Sequence, residues 1–268
     1  MNSKVVVITG ASSGIGLALT KQFALENAKI VIAARSIEKL EEIKKELEGK
    51  NIEVLAVKAD VSIEDDCKSM IKQAVERFGG IDILINNAGI SMRAIFEDVD
   101  LSVIHKLMDT NFWGTVYSTK YALPYILKSK GSVVGVSSIA GYVGLPARTG
   151  YSASKFAMQG FLEVLRTENL KKGLHVLIAC PGFTASNIRN TALVKDGSQQ
   201  GDSPRDEGKM MSSEEVAKSI VKAIKKRKPT LILTLEGKLV VLFKKFVPTL
   251  LTKMVYNSMA KEADSPLK

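Results

Sequence analysis

The chain has 268 residues, 46% of them apolar, and a mean hydropathy of +0.08, enough to bury a full core in one large α/β domain. Its net charge of +10 is concentrated at one end: residues 209–268 hold 13 Lys/Arg against 5 Asp/Glu, a net of +8, which leaves +2 for the first 208. That distribution excludes a nucleic-acid protein with a cationic face spread over the whole fold, and it leaves an anionic partner open for the tail.

The first apolar run, Val5 to Ile8, is short and ends in a glycine-rich loop, so the opening residues carry no export signal and the expected setting is the cytoplasm. Cys67 and Cys180 are far apart and fit no metal spacing, which reads as two reduced thiols, no disulfide and no metal site. In chain order the pattern predicts a strand over Lys4 to Thr9, a helix over Leu17 to Glu26, a strand over Ile30 to Ala34, a helix over Ile37 to Leu47 and a strand over Ile52 to Val57. A helix over Cys67 to Phe78 and strands over Ile81 to Asn86, Ser132 to Ser137 and His175 to Ala179 follow, then a helix over Ser213 to Lys226 and a strand over Thr230 to Leu233.

The strands are apolar throughout rather than alternating, as in parallel strands covered on both faces. Such a series predicts an α/β fold of Rossmann type, a doubly wound parallel sheet in a single domain over residues 1–235, with an apolar and basic C-terminal extension over 236–268. Ligands of such sheets lie beyond the carboxyl ends of the strands, where the strand order reverses. The irregular stretch 183–211, which contains "KDGSQQGDSPRDEGK", is expected to be a mobile substrate lid rather than an insertion without a role.

Directly after the first strand stands "TGASSGIG", with Gly10, Gly14 and Gly16 around Ser12, Ser13 and Ile15. A strand turning sharply into a helix leaves free N–H groups at the helix start, and glycines let a pyrophosphate approach them. The second strand ends in Ala34 and Arg35, where an NAD-binding fold would place a carboxylate for the ribose. A guanidinium there favours the 2′-phosphate of NADP. Ser36 either adds a hydroxyl to that phosphate or caps the next helix, and Glu38, early in that helix, faces solvent. Further on, Tyr151 and Lys155 are four residues apart, so on a helix they share a face. A neighbouring ammonium is expected to lower the phenol pKa from its ordinary value of about 10.

The ordered set "TGASSGIG", "NNAG" at 86–89, "SSIAG" at 137–141, "YSASK" at 151–155 and "PG" at 181–182 resembles the short-chain dehydrogenase/reductase family, over about residues 4–235. The resemblance implies that Tyr151 is the catalytic acid/base and that Lys155 lowers its pKa while binding the nicotinamide ribose. It implies that Ser138 hydrogen-bonds the substrate carbonyl, whereas Ser137 ends the strand and packs. Asn111, in "TNFWG", matches a residue holding a water in a proton relay, its other reading being a polar residue that kinks a helix. For the cofactor, NADP(H), it implies that Asp60 meets the adenine with Val61 beside it. It further implies that Asn87 lies beneath the adenosine ribose with Ala88 and Gly89, and that Pro181, Gly182 and Thr184 meet the nicotinamide amide. Here "PGFTAS" offers Ser186 as an alternative hydroxyl to Thr184.

The function so implied is an NADP(H)-dependent carbonyl reductase or alcohol dehydrogenase acting on a hydrophobic ketone or secondary alcohol, lipid-, steroid- or 3-ketoacyl-like, in a homodimer or homotetramer. A non-catalytic NADP-binding sensor would tolerate a damaged catalytic set, a membrane-associated scaffold would not need the glycine turn, and a longer-chain epimerase or dehydratase fits neither the length nor the glycine spacing. The tail "GKLVVLFKKFVPTLLTKMVYNSMAKE", residues 237–262, is interrupted by Lys244, Lys245 and Pro248 and is too broken to span a bilayer. It either docks on the core, the substrate mouth or a second subunit, or lies peripherally at a membrane surface. Trp113, His105 and His175 carry no chemistry in this reading.

Overall fold

The structure is a computed structural model that describes residues 1–203, 208, 210–262 and 265–267. Seven strands form it: β1 (Val5–Thr9), β2 (Lys29–Ala34), β3 (Val54–Lys58), β4 (Ile83–Asn86), β5 (Ser132–Val136), β6 (His175–Cys180) and β7 (Thr230–Ile232). All pair in parallel, in the order β3-β2-β1-β4-β5-β6-β7. The order reverses between β1 and β4, which opens a crevice at their carboxyl ends. The expected strands stand within a residue or two of these bounds, as does the Rossmann-type class.

Alternation along the strands feeds two cores. Val6, Ile8, Ile30 and Ile32 face one side, against α1 (Gly14–Ala24), α2 (Ile37–Glu48) and α7 (Ser213–Lys225), where Leu19, Phe23, Leu40 and Ile220 are fully buried. Val7 and Val31 face the other, against α3 (Glu64–Phe78), α5 (Gly114–Lys128) and α6 (Thr149–Glu168), with Met70, Ile126, Met158 and Leu162. Helix starts are chemically marked. A reciprocal capping box of Ser212 and Glu215 opens α7, and Asp100 accepts from Ser102 N at 2.8 Å to open α4 (Leu101–Leu107).

Between α4 and α5 the chain forms a π-helical turn, Met108–Trp113, centred on the buried Asn111. Such π turns are frequent at functional sites. The described residues of the stretch 183–211 form no long regular element but are bonded: isolated bridges join Met92 to Leu193 and Thr184 to Met211, and Leu193 packs with Met92, Val103 and Leu107. Its residues 204–207 and 209 lie outside the described residues.

The tail forms α8 (Leu235–Phe246) and α9 (Pro248–Ala260), and it docks. Leu251 and Met259 are buried, Lys244 Nζ donates to Tyr142 O and stands 4.7 Å from the Phe156 ring centroid, and Arg93 and Glu262 pair at 3.8 Å in a nearly buried setting. Among the described residues no helix is long and apolar enough to cross a membrane.

At the amino end of β6, His175 sits between Ser132 Oγ and Lys228 O, each 2.9 Å from a ring nitrogen. Burial holds its pKa below the usual value. The folded chain binds this proton less readily than the unfolded one, so the associated stability is complete above about pH 6.5 and is lost as pH falls below it. Thermal melts should show a falling Tm between about pH 7 and pH 5. His175→Gln should flatten that fall, and an unchanged slope in the variant would refute the assignment.

Candidate active site

The sheet crevice opens into a cavity of about 1730 Å³ that runs from the glycine turn to the C-terminal helices. At its nucleotide end, Gly10 and Gly14 have φ of 64° and 52°, in the left-handed region that favours glycine. A Cβ on Gly10 would stand 2.8 Å from Ala88 Cα, and one on Gly16 only 2.1 Å from Gly10 O, so the turn closes on itself with no room for side chains. Thr9 fixes this packing: its hydroxyl accepts from the N–H groups of Asn87 and Ala88, both at 3.1 Å. Asn87 Nδ2 donates to Thr9 O at 2.9 Å and to Gly10 O at 3.2 Å.

First-turn N–H groups of a helix lack intrahelical partners. Ser13, at the N-cap of α1, makes no side-chain bond to them, and Gly14 and Ile15 line the cavity. Arg35 and Ser36 line the same end, joined by Lys39, which carried no motif in the sequence. Ser36 holds the N-cap position of α2, but its hydroxyl donates to Glu38 Oε2 at 3.2 Å instead of capping the backbone. Ser12, Ser13, Asp60, Val61, Ala88 and Gly89 also reach the cavity, although Asp60 Oδ1 is engaged by Ser62 N at 3.0 Å and Ser62 Oγ at 2.7 Å. Gly16 does not line it and acts through packing.

At the other end, Ser138, Tyr151 and Lys155 line the cavity together with Pro181, Gly182, Thr184 and Ser186. Lys155 Nζ donates to Val136 O at 2.9 Å and stands 5.8 Å from the Tyr151 ring centroid. Burial lowers the Lys155 pKa to about 8. The expected lowering of the Tyr151 pKa is reversed in this structure: burial raises it, outweighing the opposing pull of the Ser138 hydroxyl and the Arg148 guanidinium.

Asn111 stands behind the cavity wall rather than in it. Its Oδ1 accepts from Ile90 N at 2.9 Å, and its Nδ2 donates to Ile90 O at 3.0 Å and Ser154 Oγ at 2.9 Å, which stitches the loop after β4 to α6. A Cβ on Gly89 would come 3.1 Å from Asn111 Oδ1 and 3.4 Å from Lys155 Nζ, so the close approach of these groups depends on that glycine.

Sequence reading missed Arg148, Arg189 and Gln159. Arg148 is buried at the N-cap of α6 and donates to Met92 O at 3.0 Å; Arg189 is buried in the 183–211 stretch and donates to Thr184 O at 2.8 Å. Gln159, eight residues after Tyr151 on one helical face, was the one with a legible spacing. The remaining wall is mixed: Phe183, Leu193 and Met211, with Val240, Phe243 and Met254 of the tail, give it apolar surface, and Lys106, Asp109, Asn187, Arg189 and Glu236 add polar groups.

A parallel sheet with a glycine turn at its switch point, facing a serine, a phenol and an ammonium across one cavity, defines a dinucleotide-type oxidoreductase site. The sequence model of the short chain dehydrogenase family matches residues 4–196, and the chain belongs to that family of oxidoreductases with a Rossmann-type nucleotide-binding fold. Dehydrogenase/reductase SDR family member 7B of Mus musculus is 35% identical over 239 residues, 87% of this chain and 74% of the relative. The 11-beta-hydroxysteroid dehydrogenase 1A of Arabidopsis thaliana is 42% identical over 189 residues, 69% of this chain and 53% of the relative. Among solved structures, an alcohol dehydrogenase from the archaeon Thermococcus sibiricus complexed with 5-hydroxy-NADP superposes with a TM-score of 0.76 at 25% identity, over 87% of this chain and 96% of that one. A short chain dehydrogenase/reductase from Burkholderia phymatum in complex with NAD has the same fold, with a TM-score of 0.84 at 23% identity over 93% and 95% of the two chains.

Proposed function

We propose that the chain is an NADP(H)-dependent carbonyl reductase that reduces hydrophobic ketones. The observation that carries this reading is the meeting of the glycine turn, Arg35, Ser138, Tyr151 and Lys155 on one continuous cavity. The residues fit a nicotinamide dinucleotide. Uncapped N–H groups at the start of α1 suit its pyrophosphate, and Arg35 suits a 2′-phosphate, with Lys39 and Ser36 adjacent. Asp60 and Val61 take the adenine, Asn87, Ala88 and Gly89 the ribose, Lys155 the second ribose, and Pro181, Gly182 with Thr184 or Ser186 the carboxamide.

When bound, dihydronicotinamide supplies the hydride that reaches the carbonyl carbon. Tyr151 gives the hydroxyl proton to the carbonyl oxygen, and Ser138 donates a hydrogen bond to that oxygen as charge develops on it, an effect of about 3 to 4 kcal/mol for one such donor. The Tyr151 phenol holds its proton at neutral pH, as any phenol with a pKa of about 10 or above does, so it is in the form that can donate. Asn111 holds the backbone around Ile90 and the α6 face in register behind Lys155. An intact set of Ser138, Tyr151, Lys155 and Asn111 supports an enzyme over a non-catalytic sensor or scaffold.

The apolar part of the wall, from Phe183, Leu193, Met211, Val240, Phe243 and Met254, supports a bulky lipid-, steroid- or 3-ketoacyl-like substrate, with residues 183–211 as its lid and residues 236–268 as an extension that completes the mouth. Trp113, Tyr125, Phe156 and Val164 are exposed on or beside α5 and α6, which supports a homodimer or homotetramer built by pairing these helices. The outward side of α8 and α9 exposes Leu242, Phe246 (75%) and Leu250 among Lys238, Lys245 and Lys253. Apolar side chains ringed by lysines fit peripheral contact with an anionic lipid surface from the cytoplasmic side.

Following NADPH absorbance against ketones graded by chain length and ring number, turnover should rise with apolar size. Tyr151→Phe should keep NADPH affinity while kcat drops at least about a hundredfold; normal turnover with lost cofactor binding would overturn the assignment. Arg35→Ala should weaken NADPH binding and leave NADH binding nearly unchanged, so an equal effect on both cofactors contradicts a 2′-phosphate contact. Flotation with vesicles of neutral and anionic phospholipid should carry the intact chain with the anionic vesicles only, and Phe246→Glu with Leu250→Glu should abolish this. Identical behaviour of both proteins ends the membrane reading.

A further inference from the structure

We propose that Gln159 is a positioning residue whose carboxamide holds the Ser138 turn against α6, so that the Ser138 and Tyr151 hydroxyls converge on one substrate oxygen. The inference rests on the role proposed above for Ser138. Tyr151, Lys155 and Gln159 are spaced four residues apart, so they form one stripe along α6, facing the carboxyl ends of β5 and β6. Gln159 is buried, with 5% exposure. Its Nε2 donates to Ser137 Oγ at 2.9 Å and makes longer contacts with Ser138 O at 3.4 Å and Cys180 Sγ at 3.6 Å.

These partners are the residues that set where Ser138 stands. Ser137 N donates to Ala179 O at 2.7 Å and Ile139 N to Pro181 O at 3.3 Å, so the serine turn hangs between β6 and α6, and Gln159 supplies the α6 side. The slot is specific. A Cβ on Gly141 would lie 2.1 Å from Gln159 Nε2 and 2.8 Å from Ser137 Oγ, so the carboxamide enters only because residue 141 has no side chain. Burying an amide is costly unless it is bonded, and the neighbouring inward positions are filled by Met158 and Leu162. An apolar residue would pack at position 159 as they do, but it would leave the serine turn without its tie to the catalytic helix.

Gln159→Met keeps length and burial and removes the donors. With NADPH and a methyl ketone of about ten carbons, kcat should fall about ten- to a hundredfold, the consequence of an alignment lost by a fraction of an ångström to an ångström. The KM for NADPH should stay within about twofold of the parent, because no cofactor contact changes. A structural defect would lower activity in every background, whereas a positioning role vanishes with the group positioned. In Ser138→Ala, therefore, adding Gln159→Met should cost less than about twofold. Gly141→Ala, which fills the slot from the turn side, should reproduce the kcat loss and add nothing to Gln159→Met; it carries the same cycle should Gln159→Met fail to fold by its melting curve. Parental kcat in both single variants, or the same fold-loss with and without Ser138, would overturn the proposal. Undiminished turnover in Ser138→Ala would instead overturn the site reading on which it rests.

Discussion

The closeness of α6 to the carboxyl end of β5 is the constraint from which the rest of the site follows. Gly135 in mid-strand permits it, since a Cβ there would come 2.3 Å from Leu162 Cδ1. With the helix seated this low, Lys155 reaches the carbonyl of Val136 and Gln159 reaches Ser137. The strand end and the helix face are thereby locked, and the serine turn between β5 and α6 inherits its place from both. The glycine turn after β1 stands across the reversal point of the strand order, so one crevice joins the two ends.

Burial sets the electrostatics of this arrangement more than charge pairing does. A phenol and an ammonium on one helix face are each pushed toward neutrality by burial, the phenol upward and the amine down to about 8. Arg148, at the helix start, opposes the effect on the phenol without overcoming it. The packing that brings the hydroxyl into the cavity is therefore also what raises its pKa.

Much of this was legible in the sequence because it is local. "TGASSGIG" is a turn whose φ values demand glycine, and the Tyr151–Lys155 spacing is a property of any helix. Apolar runs separated by helical patterns gave the strands to within a residue or two. What escaped depends on distant contacts. The sign of the Tyr151 shift is decided by how much protein covers it, which spacing cannot report. Gln159 resembles a surface residue until Gly141 is placed beside it. Asn111 was read as a catalytic group or as a helix-kinking residue; in the fold it stands in a π turn, and its amide ties Ile90 to Ser154. The tail's apolar residues could not say what would cover them, and only the fold showed Val240 and Phe243 against the cavity.

The docked tail separates two kinds of change in this protein. The residues proposed for hydride and proton chemistry lie on the turn after β5 and on α6, where glycine contacts leave little tolerance for substitution. The far wall is built from the last two helices, anchored by Lys244 on Tyr142 and Phe156 and by Glu262 on Arg93. Those helices can exchange side chains without disturbing a strand, so the breadth of compounds admitted can drift across generations while the reaction performed on them stays fixed.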